Sequence, residues 1–184
     1  MRGERKMYYS TKTYGTDRGL SCCFRQWKAS HSHCSTLHGY SIGIKLIFQS
    51  DTLDDRNWVM DFGGLKQFKE WSEGMFDHTL LIAKDDPFLD EFIRISKLEK
   101  YMLDGSPQVY GKPHERGALV DLRIVNGVGC EAFAKLCFDK MSELLVDMKK
   151  DNKGRYPVGS SVVLKSAEVF EHAGNSAIYE RDYV

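Results

Sequence analysis

One run of alternating residues constrains the fold of this chain more than any other feature. From position 38 to 49, one parity carries His38, Tyr40, Ile42, Ile44, Leu46 and Phe48, and the other carries Gly39, Ser41, Gly43, Lys45, Ile47 and Gln49. Successive side chains of a strand point to opposite faces, so this pattern predicts a β-strand with one buried face. Such a strand needs neighbouring strands and a layer that covers its apolar side.

The other segments predict short strands and helices that are apolar on one side only. Further strands are predicted over residues 20–29, 58–62, 118–125, 160–171 and 176–181, and helices over 65–75, 87–98 and 130–150. This order predicts an α+β domain, in which an antiparallel sheet carries helices on one face. The opposite face or an edge must then be covered, and a symmetric oligomer is one way to cover it.

The same patterns divide the chain into regions. Residues 1–18 are polar and predict an N-terminal arm or a short edge element, and residues 19–184 predict a single domain. Within that domain, residues 100–117 contain three glycines and two prolines but few apolar residues. We interpret this stretch as a loop insertion.

Composition excludes several classes of function. The chain has 184 residues, of which 26 basic residues balance 26 acidic ones, so no basic field is available to attract nucleic acid. No apolar run approaches the roughly 20 residues that cross a bilayer, and the charged N-terminus is followed by polar residues, unlike a secretion signal. We therefore expect a cytoplasmic protein that binds a small molecule or a protein partner. The five cysteines are odd in number and irregularly spaced, which favours reduced thiols.

Three short clusters contain residues that could carry chemistry. Residues 31–40 hold three of the six histidines together with Cys34, which suggests metal binding or thiol chemistry, although a solvated histidine-rich loop is the alternative. Asp77 and His78 are adjacent and are either an exposed turn pair or a functional acid and imidazole. Glu171 ends an apolar strand, where its carboxylate either reaches water or accepts two parallel N–H bonds from a guanidine-like edge.

Taken together and in this order, the segments resemble the 6-pyruvoyltetrahydropterin synthase and 6-carboxytetrahydropterin synthase family. The matching pieces are the run from Cys34 to Tyr40, Val-Met-Asp-Phe-Gly-Gly-Leu-Lys at 59–66, Phe-Asp-His-Thr-Leu at 76–80, Glu131, and Val-Phe-Glu at 169–171. The resemblance spans residues 20–182. It implies a tunnelling fold (T-fold), in which antiparallel sheets from several subunits close into a barrel with active sites between neighbours. The expected assembly is a hexamer built as a dimer of trimers.

The resemblance also implies an activity. It points to a pterin-forming lyase that converts 7,8-dihydroneopterin triphosphate to 6-carboxytetrahydropterin, a precursor of 7-deazaguanines and queuosine. In that assignment the Cys34 thiolate is the general base, and Asp77 and His78 prepare it. Glu171 anchors the 2-amino group and the ring N–H of the pterin through a charge-assisted double contact.

The metal positions depart from the family pattern. The resemblance implies Zn²⁺ held by three histidines, and only His38 stands at such a position. Tyr40 replaces the second histidine, and the third position falls near Trp27 or Lys28. A zinc site with three protein ligands cannot be built from one histidine, so a replacement ligand is needed.

Two kinds of compensation are open. His33, or alternatively His31, is expected to act as a replacement zinc ligand beside His38. Lys28 is expected to bind the substrate as a fixed cation that takes the place of the metal. The same departure leaves two alternative functions open, which are a related enzyme on a different pterin and a non-catalytic pterin-binding protein that has lost the zinc site.

Overall fold

A computed structural model describes residues 6–15, 19–97, 120–151 and 154–181. The strands within these ranges are β1 (Tyr8–Tyr14), β2 (Leu20–Phe24), β3 (His38–Ser50), β4 (Thr79–Ala83), β5 (Leu122–Val125), β6 (Val163–His172) and β7 (Asn175–Glu180). The α-helices are α1 (Lys66–Phe76), α2 (Leu89–Ser96) and α3 (Cys130–Lys150). The chain forms two compact units, residues 1–20, 41–74 and 130–184 in the first and residues 21–40 and 75–129 in the second.

The first unit is built on an antiparallel sheet. Strand β1 pairs with β3, β3 pairs with β6, and β6 pairs with β7, all antiparallel. Helix α3 packs against β6 and β7, and the Phe138 ring meets the Tyr179 ring edge-on at 5.1 Å between centroids. The apolar parity of β3 is fully buried at Ile42, Ile44 and Leu46, which confirms the predicted half-buried strand.

The second unit contains three parallel strands in the order β2-β4-β5. Helix α2 packs beside β4 and β5. All five residues of β4 are buried, as expected for an interior parallel strand, and such a strand shows no alternation in its sequence. The α+β class is confirmed, but the strands are mixed in direction, and β4 is a strand that the sequence patterns did not predict.

Two further boundaries differ from the sequence prediction. The strand predicted at residues 58–62 is wrong, because the chain is irregular there and then forms a 3₁₀ turn at Phe62–Leu65. The Asp61 carboxylate accepts the Gly63 N–H at 2.8 Å and thereby starts this turn. Strand β2 ends at Phe24, five residues earlier than predicted.

Some predictions are not tested by this structure. The predicted loop insertion at 100–117 lies outside the described residues, and the single-domain assignment of residues 19–184 stays a prediction. In the described part of the chain, no helix has both the length and the apolar character that a membrane span requires.

A pair of glycine substitutions tests the backbone of the first unit. Gly19 has φ +70°, and an added Cβ would lie 1.6 Å from Ser41 Oγ, so we expect Gly19→Ala to lower the free energy of unfolding by about 1–3 kcal/mol. Gly74 lies in α1 with open space around it, so Gly74→Ala should stabilise by up to about 1 kcal/mol. Urea denaturation of the two variants measures both changes. Equal stability of the two variants would contradict the assigned backbone.

Candidate active site

The histidine-rich cluster lies on the loop between β2 and β3, in the second unit. His33–Ser35 form a 3₁₀ turn that begins at Ser32, whose Oγ accepts the Cys34 N–H at 3.2 Å. The Thr36 N–H and hydroxyl both donate to the His33 carbonyl, at 3.0 and 2.7 Å. Serine and threonine hydroxyls commonly make such local bonds to the backbone. The loop is therefore held in one conformation by its own side chains.

The loop is also tied to the end of β2. The Gln26 N–H donates to the Cys34 carbonyl at 2.7 Å. The Arg25 guanidinium donates to both carboxylate oxygens of Asp86, at 2.9 and 2.7 Å, and a further N–H donates to the Ser35 carbonyl at 3.4 Å. One arginine therefore connects the Cys34 loop to the segment that follows β4.

The Arg25–Asp86 pair stays ionised at neutral pH. Burial, the largest influence, would raise the pKa of Asp86, but hydrogen bonds from Arg25 and from the Phe88 N–H together outweigh it and hold the pKa below its ordinary value. The hydrogen bond to Asp86 in turn raises the pKa of Arg25. A buried carboxylate needs such a bidentate partner, so this pair fixes the position of the loop.

The loop brings three potential metal ligands together. The ligand atoms of His33, Cys34 and His38 all lie within 4.8 Å of one another. The His38 Nδ1 is 2.9 Å from the Thr36 carbonyl, and since a carbonyl only accepts, Nδ1 carries the proton and Nε2 has a free lone pair. The two histidines predicted as metal ligands are therefore neighbours, and the cysteine predicted as the base lies with them.

The three-histidine set that the resemblance implies does not fit these residues. The Tyr40 ring stacks on Phe24 at 3.8 Å and an angle of 9°, and its centroid is 4.5 Å from that of His38. The Lys28 ammonium pairs with Asp85 at 2.5 Å, and the Lys28 side chain is 69% exposed. A phenol keeps its proton up to about pH 10, and an ammonium has no lone pair, so neither replaces an imidazole.

Asp77 and His78 form a second arrangement, between α1 and β4. The His78 Nδ1 is 3.0 Å from the Asp77 carboxylate, which also accepts the Ser21 N–H at 3.2 Å. The imidazole therefore donates from Nδ1 and leaves Nε2 for proton transfer. His78 has φ +57° and a side chain 78% exposed, an uncommon backbone geometry that presents the ring to the surface. Among the described residues, no hydrogen bond or ion pair joins this pair to Cys34.

Glu171 lies in the first unit, near the end of β6. Burial, followed by the charges of Glu171 and Glu131, raises the pKa of the Cys130 thiol to about 11. Strand β6, which carries Glu171, packs against α3, and Cys130 at the beginning of this helix keeps its proton at neutral pH. No pattern of residues predicts this proximity, because the two residues are far apart along the chain.

The other cysteines are poor candidates for a base. Burial raises the pKa of Cys23 and of Cys137, and Cys22 is buried inside β2. A thiolate is the reactive form of cysteine, so these thiols are inert by comparison. Cys34 is half-buried and lies on a loop beside two imidazoles.

A cavity of about 420 Å³ lies at the carboxyl ends of the three parallel strands. Its lining includes Trp27 and Lys28 after β2, Asp85 after β4, and residues 126–128 after β5. This edge of a parallel sheet is where ligands commonly bind. The predicted substrate residue Lys28 therefore lines a cavity, although its ammonium already contacts Asp85.

Comparisons with known sequences point to one family. The sequence model described as 6-pyruvoyl tetrahydropterin synthase matches residues 16–182. The chain is 29% identical over 76 residues to 6-carboxy-5,6,7,8-tetrahydropterin synthase of Rickettsia conorii, covering 40% of this chain and 55% of that protein. It is 34% identical over 68 residues to the protein of the same name from Aquifex aeolicus, covering 37% and 41%. The chain therefore spans about half the length of these relatives.

Solved structures show the same fold. An uncharacterized protein from Wolinella succinogenes has a TM-score of 0.67 at 18% identity, covering 96% of this chain and 99% of that one. A catalytic-residue mutant of Plasmodium vivax 6-pyruvoyltetrahydropterin synthase has a TM-score of 0.59 at 15% identity, covering 97% and 99%. These likenesses confirm the predicted tunnelling fold of the chain.

Substitution of two neighbouring aspartates tests whether the Arg25–Asp86 ion pair anchors the Cys34 loop. We expect Asp86→Asn to lower the free energy of unfolding by about 2 kcal/mol at pH 7, since it removes charge-assisted hydrogen bonds from a buried site. Because the folded pKa of Asp86 is lowered, this stabilisation is present above the unfolded pKa of about 3.9 and is lost as the pH falls through the lower folded value. The difference from the unsubstituted chain should therefore vanish in acid.

Asp85→Asn is the matched control, since Asp85 is exposed and pairs with the exposed Lys28. Its unfolding midpoint should not change measurably. Chemical denaturation as a function of pH measures both variants. An Asp86→Asn chain as stable as the Asp85→Asn chain at pH 7 would contradict the anchoring role.

Proposed function

The chain belongs to the 6-pyruvoyl tetrahydropterin synthase family, and on this premise we propose that it is a pterin-forming lyase. The proposed substrate is 7,8-dihydroneopterin triphosphate, and the proposed product is 6-carboxytetrahydropterin, a precursor of 7-deazaguanines and queuosine. The names of the Rickettsia and Aquifex relatives support this choice. We also propose that the enzyme acts in the cytoplasm.

The observation that carries the proposal is the position of Cys34. Its thiol lies on a loop that two independent contacts fix, the Gln26 N–H to the Cys34 carbonyl and the Arg25 guanidinium to the Ser35 carbonyl. A general base must be held at a defined distance from the carbon that it deprotonates. A fixed loop with a half-buried thiol meets this requirement, whereas burial raises the pKa of the Cys23 and Cys137 thiols and disfavours their reactive thiolate form.

Each proposed residue then has one task. The Cys34 thiolate takes a proton from a carbon of the substrate side chain next to an oxygen-bearing group. His78, oriented by Asp77, receives and returns protons through its Nε2, in the way that a carboxylate orients an imidazole in hydrolytic triads. Glu171 accepts two N–H bonds from the pterin edge, which selects a 2-amino pterin over rings that lack this donor pair.

Within one described chain, Cys34 has no hydrogen bond to Asp77 or His78, and we propose that the groups meet between protomers. In a T-fold barrel, a neighbouring subunit would bring its Asp77 and His78 to Cys34. A dimer of trimers is the proposed assembly. Zn²⁺ held partly by His38 and His33 belongs to the same proposal.

A second candidate is a pterin-binding protein without catalysis. The observation that favours it is that the residues at two family zinc-ligand positions already have other partners. Tyr40 stacks on Phe24, and Lys28 pairs with Asp85. A chain that had lost the family metal would retain Glu171 and bind pterin without converting it. A related enzyme with a different pterin substrate would show turnover with that pterin alone.

Substitution of the proposed base tests the lyase directly. The purified protein, with zinc supplied, should release triphosphate and acetaldehyde from 7,8-dihydroneopterin triphosphate. We expect Cys34→Ala to lower kcat at least about a hundredfold, since general base catalysis contributes about 10²–10⁴. Cys23→Ala, which removes a thiol of raised pKa, should keep most of the turnover. Pterin binding without conversion by the unsubstituted chain would favour the non-catalytic candidate.

Mixing two inactive chains tests where the site forms. If Cys34 of one protomer acts with Asp77 of another, equal amounts of Cys34→Ala and Asp77→Asn chains, unfolded and reassembled together, should regain about a quarter of the unsubstituted activity, because about one site in four receives both intact partners. Each variant reassembled alone is the control. Recovery no greater than these controls would place the groups within one chain or outside the reaction.

A further inference from the structure

Another cavity lies in the first unit, beside the beginning of β1. Its volume is about 470 Å³, and its lining comes from the first residues of β1 and from residues 53–62, which lie between β3 and α1. We propose that this cavity, called the Trp58 cavity below, binds an unphosphorylated fused heterocycle with an amino group next to a ring N–H. Guanine and its nucleoside present such an edge. The volume lies within the range of about 300–1,000 Å³ that is usual for small-molecule sites.

Two aromatic rings line the Trp58 cavity from different segments. Trp58 belongs to the segment before α1 and is 47% exposed, and Tyr8 belongs to β1 and is 45% exposed. The Arg56 guanidinium lies 5.5 Å from the centre of the Trp58 ring, a cation–π contact that holds this ring in place. Neither ring packs on another aromatic ring within the described ranges of the chain. The rings are therefore available to stack on a flat heterocycle.

The cavity lies on one face of the antiparallel sheet. Tyr8 and Ser10 share a face of β1, because residues two apart on a strand point the same way. Ser10 pairs with Phe48 of β3, and the Phe48 ring lies 6.4 Å from the ring of Phe62. The segment before α1 therefore closes over the face that carries Tyr8.

The wall that carries Trp58 is a closed loop. The Asp54 carboxylate accepts the N–H groups of Arg56 and Trp58, both at 2.9 Å, and the Asp54 N–H donates to the Trp58 carbonyl at 2.9 Å. Between them, Asn57 has φ +63°, which is uncommon for a residue other than glycine. The backbone of this wall is thus set before a ligand arrives, and such preorganisation lowers the entropy cost of binding.

Several polar groups of the lining are available to a ligand. Among the described residues, no hydrogen bond uses the Tyr8 hydroxyl, the Asn57 amide or the Trp58 indole N–H. The Asp61 carboxylate accepts the Gly63 N–H at 2.8 Å, and a carboxylate has about four acceptor positions. Asp61 can therefore also accept an amino group and the ring N–H beside it. An aromatic cavity with a few convergent polar groups is typical of a small-molecule site.

The charge of the wall disfavours a phosphorylated ligand. Residues 51–62 contain four aspartates and one arginine, so the net charge of this segment is −3. A phosphate group on a ligand in the cavity would lie within about one Debye length of these carboxylates, about 8 Å at physiological ionic strength. The amino edge of an uncharged heterocycle meets no such repulsion. The cavity is therefore unsuited to a triphosphate such as the proposed lyase substrate.

The Trp58 cavity is separate from the proposed pterin anchor in the same unit. Tyr8 pairs with Ser50 at the end of β3, whereas Phe170, the neighbour of Glu171, pairs with Gly43 in the first half of that strand. A strand rises about 20 Å between these two positions of β3. A heterocycle in the cavity and a pterin on Glu171 therefore bind at the same time. The proposal does not depend on the lyase function.

Calorimetric titration of the full chain with three related ligands tests the proposal. Guanosine should bind with a stoichiometry of one per chain. Inosine, which lacks the 2-amino group, should bind at least about tenfold more weakly, because it loses a hydrogen bond to a charged acceptor. Guanosine monophosphate should also bind at least about tenfold more weakly, because it adds negative charge beside four aspartates. Equal binding of the three ligands would overturn the proposal.

Three variants locate the bound guanosine. Trp58→Ala should weaken guanosine binding about fivefold to a hundredfold, the range expected for loss of one stacking ring. Phe88→Ala removes an exposed ring that does not line the cavity and should leave the affinity unchanged. Glu171→Gln alters the proposed pterin anchor and should also leave it unchanged. If Trp58→Ala fails to fold by circular dichroism, Tyr8→Ala replaces it.

The same measurements separate this inference from its competitors. Loss of guanosine binding in Glu171→Gln but not in Trp58→Ala would place the ligand on the pterin anchor and overturn the proposal. Absence of guanosine binding, together with a smaller assembly of Trp58→Ala in analytical ultracentrifugation, would show that a second copy of the chain fills the cavity. Turnover of 7,8-dihydroneopterin triphosphate is a separate assay. Its absence would refute the lyase and leave the guanosine site, whereas turnover without guanosine binding would refute the site and leave the lyase.

Discussion

The ion pair between Arg25 and Asp86 is the constraint on which the candidate site depends. Asp86 is buried, and a buried carboxylate without a partner would be strongly destabilising. The guanidinium satisfies both of its oxygens and has an N–H left for the Ser35 carbonyl. The position of the Cys34 loop therefore follows from the need to pair one buried charge, Asp86, in the segment after β4. The proposed base, Cys34, lies on the part of the loop that this pair holds.

At the two positions where the family resemblance implies a zinc-binding histidine and this chain has another residue, the side chain takes part in local contacts. Tyr40 fills its position by stacking on Phe24, and Lys28 pairs with Asp85 at the rim of a cavity. The remaining imidazole, His38, has a new neighbour in His33 and keeps a backbone carbonyl on its other nitrogen. The described residues that could hold a metal ion together, His33, Cys34 and His38, therefore lie on the loop before β3 and at its first residue.

Sequence patterns predicted the strands and helices that have one buried face and one face exposed to solvent. The alternation of residues 38–49 predicted β3, and the spacing of Phe133 and Met141 predicted α3, because each has one apolar side. They failed at β4, which is buried on both faces, and at residues 58–62, where a short apolar run ends in a turn set by Asp61. In the site, the residue types and the resemblance named Cys34 and His38. The Arg25–Asp86 anchor could not be predicted, because its partners are 61 residues apart and look like any other charged pair.

A crystal structure of the assembled protein with its pterin product bound tests the central claim most directly. The account predicts that the substituent at C6 of the pterin lies about 3.5 Å from the Cys34 sulfur, with Glu171 on the 2-amino edge and the Asp77–His78 pair of a neighbouring protomer beside the thiol. A pterin held by other residues, with Cys34 facing solvent in every protomer, would contradict it.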